Sequence, residues 1–147
     1  MDLFSALRNS YLTKGLTDDQ VRLVEAGADV VAYSDLAEVI KEFDKAGNVF
    51  ILIEGKARVT TGSGEPIARL KEGSIVGEIA LFSKDLRTAS VISDGDSKFV
   101  RIQGDKLNAL LDAHPEIGVK VLRNVGRTLC EHLRSSNIQL ESVLSAL

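Results

Sequence analysis

The chain has 147 residues, 44% hydrophobic and 27% charged, with a net charge of −3 and a pI of about 5.4. That length suits one domain with a real core. The acidic balance speaks against a dedicated nucleic-acid binder, whose phosphate contacts need a concentrated basic face, and no apolar run approaches membrane-spanning length.

MDLFSALRNS lacks a basic lead followed by an apolar core, so no signal peptide is expected. The single Cys130 cannot form an internal disulfide, which fits a reducing, cytoplasmic compartment. Leu3, Phe4, Leu7 and Tyr11 recur at helical spacing and predict a short amphipathic helix. Thr17-Asp18-Asp19-Gln20 has the form of a capping box, Val21, Leu23 and Val24 follow, and Gly27 is placed to stop that helix.

From Asp29 onward β-branched residues accumulate. Val49 to Ile53 reads as a strand, broken by Gly55 and resumed at Ala57, Val59 and Thr60. Residues 61–66 form a turn cluster, TGSGEP, and Ile67 to Leu70 is a further short strand. Two more, Ala89 to Ile92 and Lys98 to Ile102, flank Asp94-Gly95-Asp96, read as a turn. Many short strands with glycine-rich turns favour a sandwich or small barrel over a parallel sheet.

The last third reads as helix. Asp105 is placed to cap Lys106 to Ala113, and Pro115 restarts the chain as an early helix residue. Leu122, Gly126, Leu129, Leu133, Ser136, Leu140, Val143 and Leu147 then fall at alternating steps of four and three, a heptad seam. Such a stripe either packs on its own domain or meets a partner helix, and a second copy of this chain is the simplest partner.

The stretch GSIVGEIALFSKDLRTAS, residues 73–90, carries the chemistry. It leaves a strand through glycine and enters one helical turn, whose free amides suit an anion. Gly77 lets a ligand approach the backbone. Arg87 offers a fixed fork of donors that matches phosphate oxygens. Glu78 cannot serve the same phosphate, but a carboxylate accepts well from sugar hydroxyls. One anion-binding turn and one hydroxyl acceptor describe a sugar phosphate held at two points. An ordinary Glu78–Arg87 ion pair beside a surface turn fits the same spacing.

This segment closely resembles the phosphate-binding cassette of cyclic nucleotide-binding domains: a glycine, an apolar residue, Gly-Glu, an aliphatic-Ala-Leu run, a short loop, then Pro-Arg, a small residue and Ala. AGNVFILIEGKARV, residues 46–59, resembles the family's strand–glycine–strand signature. The family includes bacterial catabolite activators, regulatory subunits of cyclic-nucleotide kinases and gated channels. The resemblance implies a mixed α+β fold over residues 1–147: N-terminal helices over 1–28, an antiparallel β-roll or jelly roll over 29–104, and C-terminal helices over 105–147. By resemblance, Arg87 would bind the exocyclic phosphate oxygens and Glu78 the ribose 2′-hydroxyl. The amides of Ile79 and Ala80 would help neutralise the anion, Gly77 would allow the sugar to lie against the chain, Val76 would be a further ligand-binding residue, and Thr88 and Ala89 would sit beside the phosphate. Thr88 does not decide between adenine and guanine. Leu86 departs from the family's proline before the arginine, and Phe43 stands near a position that is often glycine.

The resemblance also assigns the C-terminal helix to cover the base and, as in the bacterial activators, to pair with its twin. Ser136 and Asn137 are then candidates for base contacts, with setting of the seam register as their competing role. The activators continue into a DNA-binding helix-turn-helix, which these residues do not encode. His114, His132 and Cys130 lack metal-ligand spacing, so no metal or cofactor is expected, and Cys130, one step off the seam, reads as a packing residue. The expected function is a non-enzymatic cyclic-nucleotide sensor, for cAMP with cGMP as the other candidate, working as a homodimer toward an unknown downstream protein. The alternative is a scaffold that kept the fold and lost the ligand.

Overall fold

In the computed structural model, residues 1–41, 47–62, 64–82 and 89–145 are described. Helix α1 (Leu3–Asn9) begins at Asp2, whose carboxylate accepts from the Ser5 amide at 2.7 Å. It stops before Tyr11, which opens a separate 3₁₀ turn (Tyr11–Thr13) capped by the Ser10 hydroxyl. Helix α2 (Asp18–Glu25) starts on the expected capping box: the Gln20 amide donates to Thr17 Oγ1 at 3.2 Å, and the Thr17 amide to Gln20 Oε1 at 2.9 Å.

Among the described residues six strands follow: β1 (Ala28–Tyr33), β2 (Glu38–Ile40), β3 (Val49–Thr60), β4 (Pro66–Leu70), β5 (Ile75–Val76) and β6 (Ser90–Ile102). All pairings are antiparallel. The frame is the long β3–β6 ladder, from Val49 opposite Ile102 to Thr60 opposite Ser90. The other strands attach to its halves: β1 and β2 to β6, β4 and β5 to β3. Across β1 and β6, Arg101 grips Asp29 through two bonds of 3.0 and 2.6 Å, fixing their register.

The apolar run of β3 is continuous because both faces of that strand are buried. Val49 and Ile51 join Val100 and Ile102 in a core closed by the helices, through Leu7, Leu12, Val21, Leu107, Ile117 and Val121. Phe50 and Leu52 face the roll interior with Phe99, Val39 and Val91. There Phe99 meets Phe50 and Tyr33 edge to face, at centroid distances of 6.1 and 5.7 Å.

Two expected breaks are not breaks. Gly55 lies inside β3, and Asp94-Gly95-Asp96 lies inside β6 rather than in a turn between two strands. Both strands bulge instead, with register shifts at Leu52/Glu54 and Glu54/Lys56. Gly55 takes φ +91°, and a Cβ there would run into the Asp96 carbonyl. The Gly95 amide is satisfied by Asp35 Oδ1 at 2.7 Å, and Ser93 Oγ donates to the Gly95 carbonyl at 2.7 Å. Turn-forming residues serve here to bend two long strands into a roll.

Helix α3 (Gly104–Ala113) begins two residues earlier than expected, and Asp105 is not its cap: it lies in the first turn, while Asn48 Oδ1 accepts from the Gly104 amide at 3.3 Å. Helix α4 (Pro115–Ser145) starts at the expected proline. Its face toward the domain is Ile117, Val121, Asn124 and Val125, all buried. The heptad seam only partly shares that face: Leu122 and Leu133 are exposed and a Cβ at Gly126 would meet nothing within 4 Å, while Leu129 packs against the helix-side core. From Cys130 to Ile138 every side chain is exposed as the helix runs off the domain, so Cys130 does not pack on the core. Leu147 lies outside the described residues. No described helix is long and apolar enough to cross a membrane.

Candidate functional site

The site is built where β5 leaves the sheet. Phe50 and Ile51 of β3 pair with Val76 and Ile75, and the Gly73 amide donates to the Leu52 carbonyl at 2.8 Å, so the approach is pinned to the central ladder. The chain then exits through Gly77 at φ +87°, a left-handed conformation that a side chain would strain. That turn feeds directly into a 3₁₀ turn, Glu78–Leu81.

The turn is anchored by Leu81, which is buried in the helix-side core. Glu78, at the other end, is only 8% exposed. A carboxylate held this far out of water is costly unless charge or hydrogen bonds compensate it, which marks such a group as a site candidate rather than a solvated surface acid. Val76, Gly77, Glu78, Ile79 and Ala80 are thus brought together on one short backbone path. Ala89 is half-buried where the chain enters β6. Arg87 and Thr88, with Leu86 and Phe43, lie outside the described residues.

Ser136 and Asn137 are both exposed on the distal part of α4. No group of three or more metal-ligating side chains occurs among the described residues.

Tyr11 is a neighbour that sequence reasoning did not single out. Its hydroxyl is buried without a hydrogen-bond partner among the described residues. Burial first, and then the Glu78 charge, push its phenol above the usual tyrosine range. At helical spacing from Leu7 a tyrosine reads as part of an apolar stripe, and no local signal ties it to a carboxylate so far along the chain.

The sequence model of the cyclic nucleotide-binding domain matches residues 30–114, more than half of the chain. The human cGMP-dependent protein kinase 2 is 33% identical over 93 residues, 60% of this chain and 12% of the kinase. The cAMP-dependent protein kinase regulatory subunit of Neurospora crassa is 35% identical over 75 residues, 50% of this chain and 20% of that protein. The chain therefore spans a small part of the curated relatives it matches. A cyclic nucleotide-binding domain from Methylobacillus flagellatus superposes with a TM-score of 0.81 at 22% identity, covering 92% of this chain and 81% of that one.

Proposed function

Because the chain belongs to the cyclic nucleotide-binding domain family, we propose that it is a non-enzymatic, cytoplasmic sensor of a cyclic purine nucleotide, cAMP. The observation that carries this reading is the buried Glu78, delivered by Gly77 to the start of an anchored turn within the sequence GEIALFSKDLRTA. In this reading Glu78 accepts from the ribose 2′-hydroxyl, Arg87 grips the cyclic phosphate with a bidentate fork, and the Ile79 and Ala80 amides share its charge. Val76 and Gly77 flank the sugar, Thr88 and Ala89 the phosphate. Ser136 and Asn137 reach the base from α4 once ligand draws that helix toward the cassette.

The sensor step follows from differential affinity. A ligand bridging the cassette and α4 favours whichever arrangement makes both contacts, and only that difference shifts the population. The exposed Leu122 and Leu133 of the seam support a second copy of α4 as its cover, since a heptad stripe is complementary to itself. Glycine at position 126 would let the two backbones approach closely. The surface that changes on binding is then offered to a downstream protein.

Calorimetric titration with cAMP and cGMP tests the reading. Saturable binding is expected, tighter for cAMP, and Arg87→Ala should weaken it at least tenfold, since a charge-assisted hydrogen bond contributes roughly 1.5–3 kcal/mol. Tighter cGMP binding would overturn the choice of base alone. Absence of heat with either ligand would leave the scaffold reading.

A further inference from the structure

The 3₁₀ turn Tyr11–Thr13 is unusually well fixed for so short an element. The Leu12 amide donates to Ser10 Oγ at 3.2 Å, and the Lys14 amide to the Tyr11 carbonyl at 3.2 Å. The buried Thr13 hydroxyl donates to the Leu7 carbonyl at 2.5 Å. From the other side, Asn124 of α4 donates to the carbonyls of Leu12 and Lys14, and Lys120 Nζ donates to the Gly15 carbonyl at 2.9 Å. The turn is thus held from both ends of the chain, yet the Tyr11 hydroxyl is buried and meets no acceptor among the described residues.

An unmet buried donor costs free energy that the fold would shed if an acceptor came within reach. The Tyr11 ring packs on the same core as Leu81, the last residue of the cassette turn whose first residue is Glu78. An ionised carboxylate is an acceptor with two oxygens and about four lone-pair directions, so it can take a bond from a phenol and one from a sugar together.

We propose that Tyr11 is a positioning residue for Glu78: its buried hydroxyl donates to one carboxylate oxygen when ligand is bound, leaving the other aimed at the ribose 2′-hydroxyl. The influence of the Glu78 charge on the phenol agrees with that proximity. Because the Tyr11 turn is clamped to α4 by Asn124, the sugar acceptor is tied to the long helix without Tyr11 touching the ligand. The proposal rests on the cyclic-nucleotide reading above for its ligand, but not for the pairing of the two side chains.

The test compares cAMP with its 2′-deoxy analogue in wild type and in Tyr11→Phe. The variant keeps the ring and removes the donor. The preference for the ribose form should shrink about tenfold, the lower range for a hydrogen bond to a charged group, with affinity for the deoxy analogue kept. Equal weakening of both ligands, leaving the preference intact, would mean a merely structural role and overturn the proposal. Binding of neither ligand by wild type would instead sink the functional reading. The closeness of the phenol to Glu78 that the pairing requires is then decided without ligand, by alkaline absorbance titration of Tyr11 in a Tyr33→Phe background. Glu78→Gln should lower the pH at which the phenol ionises, and an unmoved titration would overturn the pairing.

Discussion

Asn124 of α4 donates its side-chain amide to the carbonyl of Leu12 at 3.0 Å, and its second proton goes to Lys14 at 2.9 Å. One buried side chain thus satisfies two carbonyls of the N-terminal segment, and it does so across more than 100 residues of the chain. The first turns and the long helix are joined by this clamp and by the apolar packing of Leu12 and Leu16 with Val121 and Val125.

Replacing Asn124 with Ala should therefore cost about 1–3 kcal/mol, mostly the desolvation of the stranded carbonyls rather than the net worth of two hydrogen bonds. Urea denaturation at neutral pH reads this directly. A midpoint equal to that of wild type would show that water replaces the amide without loss and that the clamp does not hold the helices together.

The seam predicts a separable interface. Leu133 is 63% exposed and contributes nothing to the domain core, so Leu133→Lys should leave the unfolding of the domain nearly unchanged. Set in a helix–helix seam, the same charge would be buried against apolar neighbours. Sedimentation should show wild type as a dimer and the variant shifted to monomer. A dimer that survives the substitution would move the interface to another face.

Gly55 carries a backbone constraint that no side chain can share. Its φ of +91° is costly for any L-residue, and an added Cβ would collide with the Asp96 carbonyl across the ladder. Gly55→Ala should destabilise by roughly 1–3 kcal/mol, since the strain and the collision act together. Thermal unfolding checks it. A tolerated alanine would mean that the β3–β6 bulge relaxes freely and does not set the bend of the roll.

The same glycine shows where sequence reading succeeds and where it stops. Thr17 and Gln20 announce a helix start because a capping box is a local interaction, and Pro115 does the same by fixing its own backbone. Gly55 and Gly95 mislead because glycine and aspartate populate a bulge and a turn for the same conformational reason; only the partner strand distinguishes them. The run Val49 to Leu52 reveals a strand but not that it is buried on both faces, which depends on helices from both ends of the chain. At the site, Gly77 and Glu78 are legible as a contiguous motif. Tyr11 is not, because its relation to Glu78 exists only after the N-terminal turn has docked. The seam of α4 was legible as a stripe with two possible covers, but not which of its residues the domain leaves exposed, since the domain takes the neighbouring face of Ile117 and Val121 and reaches Leu129 as well.

Burial of tyrosines makes the alkaline limb of stability steep. The phenols of Tyr11 and Tyr33 are both raised above the ordinary value of 10.0, chiefly by burial, and Tyr11 further by the Glu78 charge. Above about pH 10 the unfolded chain releases these protons while the folded chain keeps them, so stability falls with rising pH. The contribution is complete below the unfolded value and is lost as pH climbs toward the folded one. Each such group adds at most about 1.4 kcal/mol per pH unit to the slope. Tyr11→Phe removes one of the two, so its unfolding midpoint in urea should decline less steeply between pH 10 and 11.5 than that of wild type, while Tyr33 keeps some slope in both. Parallel declines would show that the Tyr11 hydroxyl ionises as freely in the folded protein as in the unfolded chain, and that it is not the buried donor beside Glu78.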